Sequence, residues 1–201
     1  MRGLVLFFVT TILAVTAGLA LADGLEAGGV TFEPMISIVE GAGEHELRCT
    51  GTALRKKWFF KVYAAAAYLD SGTEIGADAG ATLVSADAPK RLHLQMLRDV
   101  DSKKIVSSID EAFEKCATVP LEEIGSEREA FRAAFSMPKL TKGTDIRFTW
   151  LPVIGLRITV DHEVLDTIEN PKFAKAFFEI YFGPDPVDDG IKEDLLQLVS
   201  E

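Results

Sequence analysis

Hydrophobic and polar positions alternate most clearly between Cys49 and Leu69, and this stretch predicts two strands joined at a tight basic turn, Arg55-Lys56-Lys57. After the turn Trp58, Phe60, Val62, Ala64, Ala66 and Tyr68 share one parity, and Phe59, Lys61, Tyr63, Ala65, Ala67 and Leu69 share the other. In a strand the two sets face opposite sides of the sheet. The first set is apolar throughout and is expected in a core. The second places Lys61 and Tyr63 among small and apolar residues, as the wall of a cleft would. Four consecutive alanines also suit a helix. The aromatic and β-branched start would leave such a helix no polar face, so strand is preferred.

Residues 23–29 are rich in Gly and Ala and read as a short flexible lead. Residues 30–38 are β-like, with Pro34 arguing against a central strand, and Gly41-Ala42-Gly43 turns the chain into the hairpin. The glycines and acids of residues 70–80 predict an exposed loop. Leu92, Leu94 and Met96 then alternate with Arg91, His93 and Gln95 in a further strand. Asp101 is placed to cap a helix whose core stripe is Ile105, Ile109, Ala112, Phe113 and Cys116. Pro120 opens a short helical piece that closes near Gly125. Ser126-x-x-Glu129 reads as a capping box for the next helix, with Phe131 and Phe135 inward.

Ile146, Phe148 and Trp150 pair with Leu156, Ile158 and Val160 as a hairpin connected by residues 152–155. Asn170-Pro171 starts a third long helix, with Phe173, Ala176, Phe177, Ile180 and Tyr181 as its buried stripe, and Gly183-Pro184 ends it. Residues 188–200 form a last amphipathic helix with Ile191, Leu195 and Leu198 inward. Strands come early and helices late, without βαβ alternation. The fold class is therefore α+β, an antiparallel β-sheet with helices packed on one face.

Composition changes this picture mainly at the N-terminus. Arg2, an apolar run over residues 4–20 and Ala20-Leu21-Ala22 make residues 1–22 a secretory signal peptide, followed by a single domain over residues 23–201. The competing reading is an uncleaved membrane anchor, and the Ala-x-Ala site argues against it. The expected location is periplasmic or secreted. No later apolar stretch reaches about 18 residues, so no stable membrane insertion is expected after signal removal. The net charge is -10, or -11 without Arg2. An acidic surface disfavours nucleic acid and anionic lipid as partners.

Two cysteines in an exported chain leave a Cys49–Cys116 disulfide open, while Cys116 equally fits as a small buried residue on its helix. No metal site is indicated: two cysteines without histidine at ligand spacing do not bind zinc, and the acids near residue 188 lack the oxygen ladder of a calcium loop. Those acids, Asp185, Asp188 and Asp189, read as helix-start residues. His45, His93 and His162 are isolated, and no Gly-rich phosphate loop follows a strand, so no cofactor is expected.

Arg55, Tyr63 and Lys104 remain as candidate binding residues. A guanidinium beside an apolar cavity holds a carboxylate or phenolate through parallel charge-assisted hydrogen bonds, and a tyrosine hydroxyl adds another. Parity alone does not place residues 55 and 63 on one face across a turn, and a solvated turn residue is the competing reading of Arg55. Lys103 and Lys104 occupy a first helical turn, where the helix dipole disfavours cations.

The Gly51-x-x-x-Arg55-x-Lys57 turn running into Phe60-Lys61-Val62-Tyr63-Ala64-Ala65-Ala66-Ala67-Tyr68-Leu69 resembles the chalcone isomerase-like proteins, in particular their bacterial exported branch. Leu97-Arg98-Asp99-Val100, Thr149-Trp150-Leu151-Pro152 and residues 177–184 agree in the same order, so the resemblance spans roughly residues 28–200. It implies an open-faced β-sandwich. It also implies that Arg55 matches the arginine that stabilises a developing phenolate in chalcone isomerases and that grips a carboxylate, with a tyrosine, in fatty-acid-binding members. The plant threonine is replaced by Tyr63. Of the helix that supplies Tyr, Lys and Asn there, only Lys104 is kept, with Asp101 and Ser108 in the other places. The late-helix pair corresponds to Ala174 and Lys175. Most of the catalytic set is thus missing, and an arginine alone stabilises charge without partners that orient a reaction. The expected function is non-catalytic binding of a fatty acid or other apolar carboxylate. The alternatives are an intramolecular lyase of the chalcone-flavanone isomerase type and an interaction module without a ligand.

Overall fold

The structure, a computed structural model, describes residues 24–40 and 43–200. The expected signal peptide and the expected turn at residues 41 and 42 lie outside them. Eleven strands and five α-helices follow one another among the described residues. They are β1 (Leu25–Ala27), β2 (Val30–Phe32), β3 (Met35–Glu40), β4 (Gly43–Lys57), β5 (Phe60–Asp70), α1 (Ala79–Ser85), β6 (Lys90–Met96), β7 (Val100–Asp101) and α2 (Ser102–Cys116). After these come α3 (Gly125–Ala134), β8 (Lys139–Leu140), β9 (Asp145–Leu151), β10 (Gly155–Val160), β11 (Glu163–Ile168), α4 (Pro171–Phe182) and α5 (Asp189–Leu196). A seven-stranded sheet runs in the order β11-β10-β9-β6-β5-β4-β3, with every pairing antiparallel. The α+β expectation holds.

β5 lies near the middle of this sheet and is buried on both faces. Ala65, Ala67 and Leu69 join the larger core, where α2, α3 and α4 bring Phe113, Phe131, Phe173 and Phe177 against Phe148 of β9. Ala64, Ala66 and Tyr68 join a second, smaller core under Ala27, Phe32 and Ile38. The small side chains of the alanine run let neighbouring elements approach on either side. Tyr68 keeps its hydroxyl satisfied by donating to the Glu33 carbonyl at 3.0 Å, as a buried phenol requires.

Several expectations are corrected. The turn of the β4–β5 hairpin is Trp58-Phe59, and Arg55-Lys56-Lys57 are the last residues of β4. Trp58 and Phe60 are exposed rather than part of a core, because the ladder extends beyond the helices that cover it. Residues 25–27 are a strand paired with β2, not a flexible lead. Ala79 and Gly80 are buried at the start of α1, not in an exposed loop. Ser126 caps nothing: a 3-10 turn over Leu121–Ile124 runs directly into α3, so no break precedes the helix for a side chain to cap. Leu198 is half exposed, and Leu196 takes the inward position. The edge strand β11 is added after a turn at Asp161 and His162, both at positive φ.

Other local readings hold. Asp101 and Asn170 cap α2 and α4, accepting from the Lys103 and Lys172 amides at 2.8 and 2.9 Å. Lys90 is buried and donates to the Val84 and Ala86 carbonyls at 3.0 and 2.9 Å, closing the end of α1. Burial pushes its pKa down to about 8. Cys49 and Cys116 are unpaired and buried in different cores, on opposite faces of the sheet. Burial pushes the Cys49 thiol up to about 11 and raises that of Cys116 as well.

Two outcomes are expected. Thiol titration without reductant should count two thiols per chain in denaturant and none in the native protein, since the reactive thiolate is suppressed by burial. Gly51→Ala should destabilise by about 1–3 kcal/mol in urea unfolding, because a Cβ there would stand 2.3 Å from the Asp194 carbonyl and 2.5 Å from the Leu195 carbonyl carbon of α5.

Candidate functional site

A cavity of about 540 Å³ opens between the inner face of the sheet and helices α2 and α4. The alternation of β6 and β9 explains its floor: Leu94 and Met96 from one strand and Ile146 and Phe148 from the other point inward. Ile105, Ile109 and Ala112 supply one wall from α2, and Ile180 and Tyr181 supply another from α4. The far end of the β4–β5 hairpin forms the mouth, together with the segment after β6 that carries Arg98.

The three candidate residues all line this cavity. Arg55 and Tyr63 are cross-strand partners in the β4–β5 ladder, so they stand side by side on one face. That settles what parity left open. Lys104 reaches the mouth from the first turn of α2 and is otherwise exposed. Asp101 and Ser108 of the same helix also line the cavity, whereas Ala174 and Lys175 do not. Ala174 is packed in the larger core, and Lys175 donates to Thr118 at 2.7 Å and pairs with buried Glu179. The positions of α4 that meet the cavity lie about two turns later, at Ile180 and Tyr181.

Two residues of the site were read only for their structural roles. Tyr181 counted as one member of an apolar stripe, yet its hydroxyl hydrogen-bonds that of Tyr63. A single phenol in a helix of phenylalanines is the signal, since a buried tyrosine needs a polar partner. Burial in the apolar wall raises both phenol pKa values, that of Tyr181 the further, while Arg55 works in the opposite direction on each. Both hydroxyls therefore stay protonated near neutral pH. Asp188, read as a helix-start acid, has two functions. Its Oδ1 accepts from the Ile191 amide at 3.2 Å to cap α5, and its Oδ2 pairs with Arg55 Nη1.

The electrostatics of the mouth follow from these pairings. Arg55, Lys57, Arg98 and Lys104 share the lining with Asp99 and Asp101, and Asp188 is tied to it through its pair with Arg55. Asp99 accepts from Lys139 Nζ at 2.8 Å and from the Lys142 amide at 2.9 Å, and these bonds hold its carboxyl below the usual range. Asp101 serves its helix cap. Arg98 lies over the Phe60 ring at 4.9 Å. Among the described residues Arg55 gives one of its N–H groups to Asp188, which leaves guanidinium donors for a second anion. The arrangement suits an amphiphile with an anionic head beside Arg55 and Tyr63 and an apolar body along Leu94, Met96, Ile109 and Phe148. Among the described residues no His, Cys, Asp and Glu side chains gather as a metal site.

The comparisons with known proteins bear on this geometry. A family model described as chalcone isomerase-like matches residues 24–197. No curated protein matches the chain by sequence. Among solved structures, a fatty-acid binding protein of Arabidopsis thaliana is similar at a TM-score of 0.67 and 18% identity, covering 87% of this chain and 95% of its own. At that identity the likeness is one of fold.

Substitutions at Asp188 should separate its two functions. Asp188→Asn keeps a good capping side chain and removes only a half-exposed ion pair, so its stability loss should stay below about 1 kcal/mol. Asp188→Ala also removes the cap and should cost about 1 kcal/mol more. Urea unfolding of both variants checks the order.

Proposed function

Because the chain belongs to the chalcone isomerase-like family, we propose that it is an exported, non-catalytic binding protein that holds a fatty acid or another apolar carboxylate between sheet and helices. The observation that carries the reading is an apolar cavity whose polar wall is made by Arg55, Tyr63 and Tyr181. Its volume of about 540 Å³ falls in the range of small-ligand sites, about 300–1,000 Å³. Arg55 anchors the carboxylate, Tyr63 assists, and Lys104 adds positive potential at the mouth. The fatty-acid binding named for the Arabidopsis protein of the same fold supports this choice. Export rests on the character of residues 1–22 and follows the pattern of the family's bacterial exported branch.

Retention of Arg55 and Lys104 in one cavity also favours testing the intramolecular lyase reading. Its weakness is the missing set: Tyr63 stands where the plant enzymes carry threonine, and Asp101 and Ser108 replace two orienting residues. Loss of chalcone absorbance faster than in buffer would support catalysis. A module closed by its own aromatics is disfavoured, since Trp58 is exposed and Phe177 and Phe178 lie in the core.

Protein purified from its own host should release a fatty acid or related amphiphile on native mass spectrometry and solvent extraction. Arg55→Ala should weaken binding of a long-chain carboxylate by about tenfold or more, the worth of a charge-assisted hydrogen bond. Asp188→Asn should strengthen it, since Asp188 competes with the ligand for Arg55. Unchanged affinity in Arg55→Ala would remove the anchor.

A further inference from the structure

We propose that the tip of the β4–β5 hairpin docks this protein on an anionic lipid bilayer, seating Trp58, Phe59 and Phe60 in the interfacial region with the neighbouring lysines on anionic headgroups. The inference stands apart from the ligand reading, because it needs no occupant in the cavity.

The first observation is exposure. Trp58, Phe59 and Phe60 are 85%, 95% and 60% exposed, three consecutive aromatic residues at the end of a ladder that projects past its covering helices. Consecutive side chains of a tight turn point to different sides. A groove or flat patch on a protein partner covers one side of such a tip, whereas a bilayer interface surrounds it. Aromatic rings, tryptophan above all, favour that interface. Trp58 also has φ 61, at a hairpin position that glycine normally takes, so an aromatic residue stands where the turn alone would favour glycine.

The second observation is charge. Between Glu46 and Asp70 the chain carries Arg48, Arg55, Lys56, Lys57 and Lys61 and no acid, in a protein of net charge -10. Lys56, Lys57 and Lys61 are exposed and within three residues of the tip. At about 3.3 Å per residue they sit within about 10 Å of the aromatic end, at headgroup depth when the rings enter the interface. Whole-chain charge disfavours anionic lipid, but its uneven placement points this basic end at such a surface. Among the described residues no helix is long and apolar enough to cross a membrane, and the contact proposed here is made by the hairpin tip alone. Trp58, Phe60 and Lys57 also line the mouth of the cavity, which docking would bring against a lipid surface.

The test uses protein from its own host and vesicles of phosphatidylcholine alone or with one third phosphatidylglycerol, without free fatty acid. In a Trp150→Phe background Trp58 is the remaining tryptophan. Its emission should shift to the blue on the anionic vesicles and be quenched by brominated acyl chains. Docking should weaken strongly at about 0.5 M salt, where charges are screened beyond a few ångströms. Lys56→Glu with Lys57→Glu should lower co-sedimentation by more than about tenfold, and Trp58→Ser with Phe59→Ser should do the same while circular dichroism shows an unchanged fold. The proposal is overturned if Trp58 emission ignores both vesicle types, or if the serine variant sediments like the parent. A concentration-dependent dimer in the parent that the serine variant abolishes, with no lipid effect on Trp58, would assign the tip to a second copy instead.

Discussion

The long antiparallel ladder between β4 and β5 is the constraint on which the rest of this molecule depends. Its strands span Gly43–Lys57 and Phe60–Asp70, and they have two environments along their length. From Ala64 to Leu69 the ladder is covered on both faces, by the helix layer on one side and by the β1–β2 hairpin on the other. Past Tyr63 that cover ends, and the same hydrogen-bonded ribbon continues into solvent. The candidate site lies at this transition: Arg55 and Tyr63 are the cross-strand pair where burial gives way to exposure. A guanidinium deeper in the ladder would be desolvated at high cost, and one nearer the tip would lose its apolar neighbours.

The C-terminal helix is tied to this ladder at two points, one in its covered part and one at the transition. Gly51 lets the α5 backbone touch β4, and Thr50 fixes the contact by donating to the Leu195 carbonyl at 2.9 Å and accepting from the Leu198 amide at 3.0 Å. The start of the same helix is capped by Asp188, whose second oxygen meets Arg55. The placement of α5 and the orientation of Arg55 are therefore coupled through one carboxylate. The two contacts use different oxygens, Oδ1 for the cap and Oδ2 for the guanidinium.

Much of the fold was legible because it rests on local periodicity. The stripes of α2 and α4, the caps Asp101 and Asn170 and the alternation of β6, β9 and β10 are each set by residues close in sequence. What escaped depends on what covers an element. Parity separated Ala64 from Ala65 correctly, but it could not tell that both faces would be buried, nor that Trp58 and Phe60 would extend beyond either cover. The β1 strand, with Ala and Gly around it, exists through pairing with β2 and packing on β4. Ser126 had the right spacing for a capping box, and the preceding 3-10 turn removed the need for one. At the site, Arg55, Tyr63 and Lys104 were readable from residue type and resemblance. Tyr181 and Asp188 were not, since Tyr181 meets Tyr63 and Asp188 meets Arg55 only through tertiary contacts across more than a hundred residues.

Two lysines and one arginine differ in what their surroundings leave free, and the anchor proposed above is the one at the ladder's transition. Lys90 is fully buried, so its ammonium needs nearby acceptors, and the end of α1 supplies two carbonyls that occupy it. A cation so enclosed is out of reach of a ligand in the cavity, whose lining does not include it. Lys104 has the opposite fate: exposed on the polar side of α2, it contributes potential but no fixed geometry, because a flexible ammonium in water is screened and unoriented. Arg55 stands between them, with its side chain 26% exposed. Asp188 engages one end of its planar group, Tyr63 stands beside it, and several N–H groups remain. Partial burial strengthens those bonds relative to water without requiring that every donor be satisfied inside the protein. A half-buried, half-paired guanidinium is thus the one cation of the three that combines fixed direction with free donors, and the register of β4 on β5 puts it at the edge of the cavity.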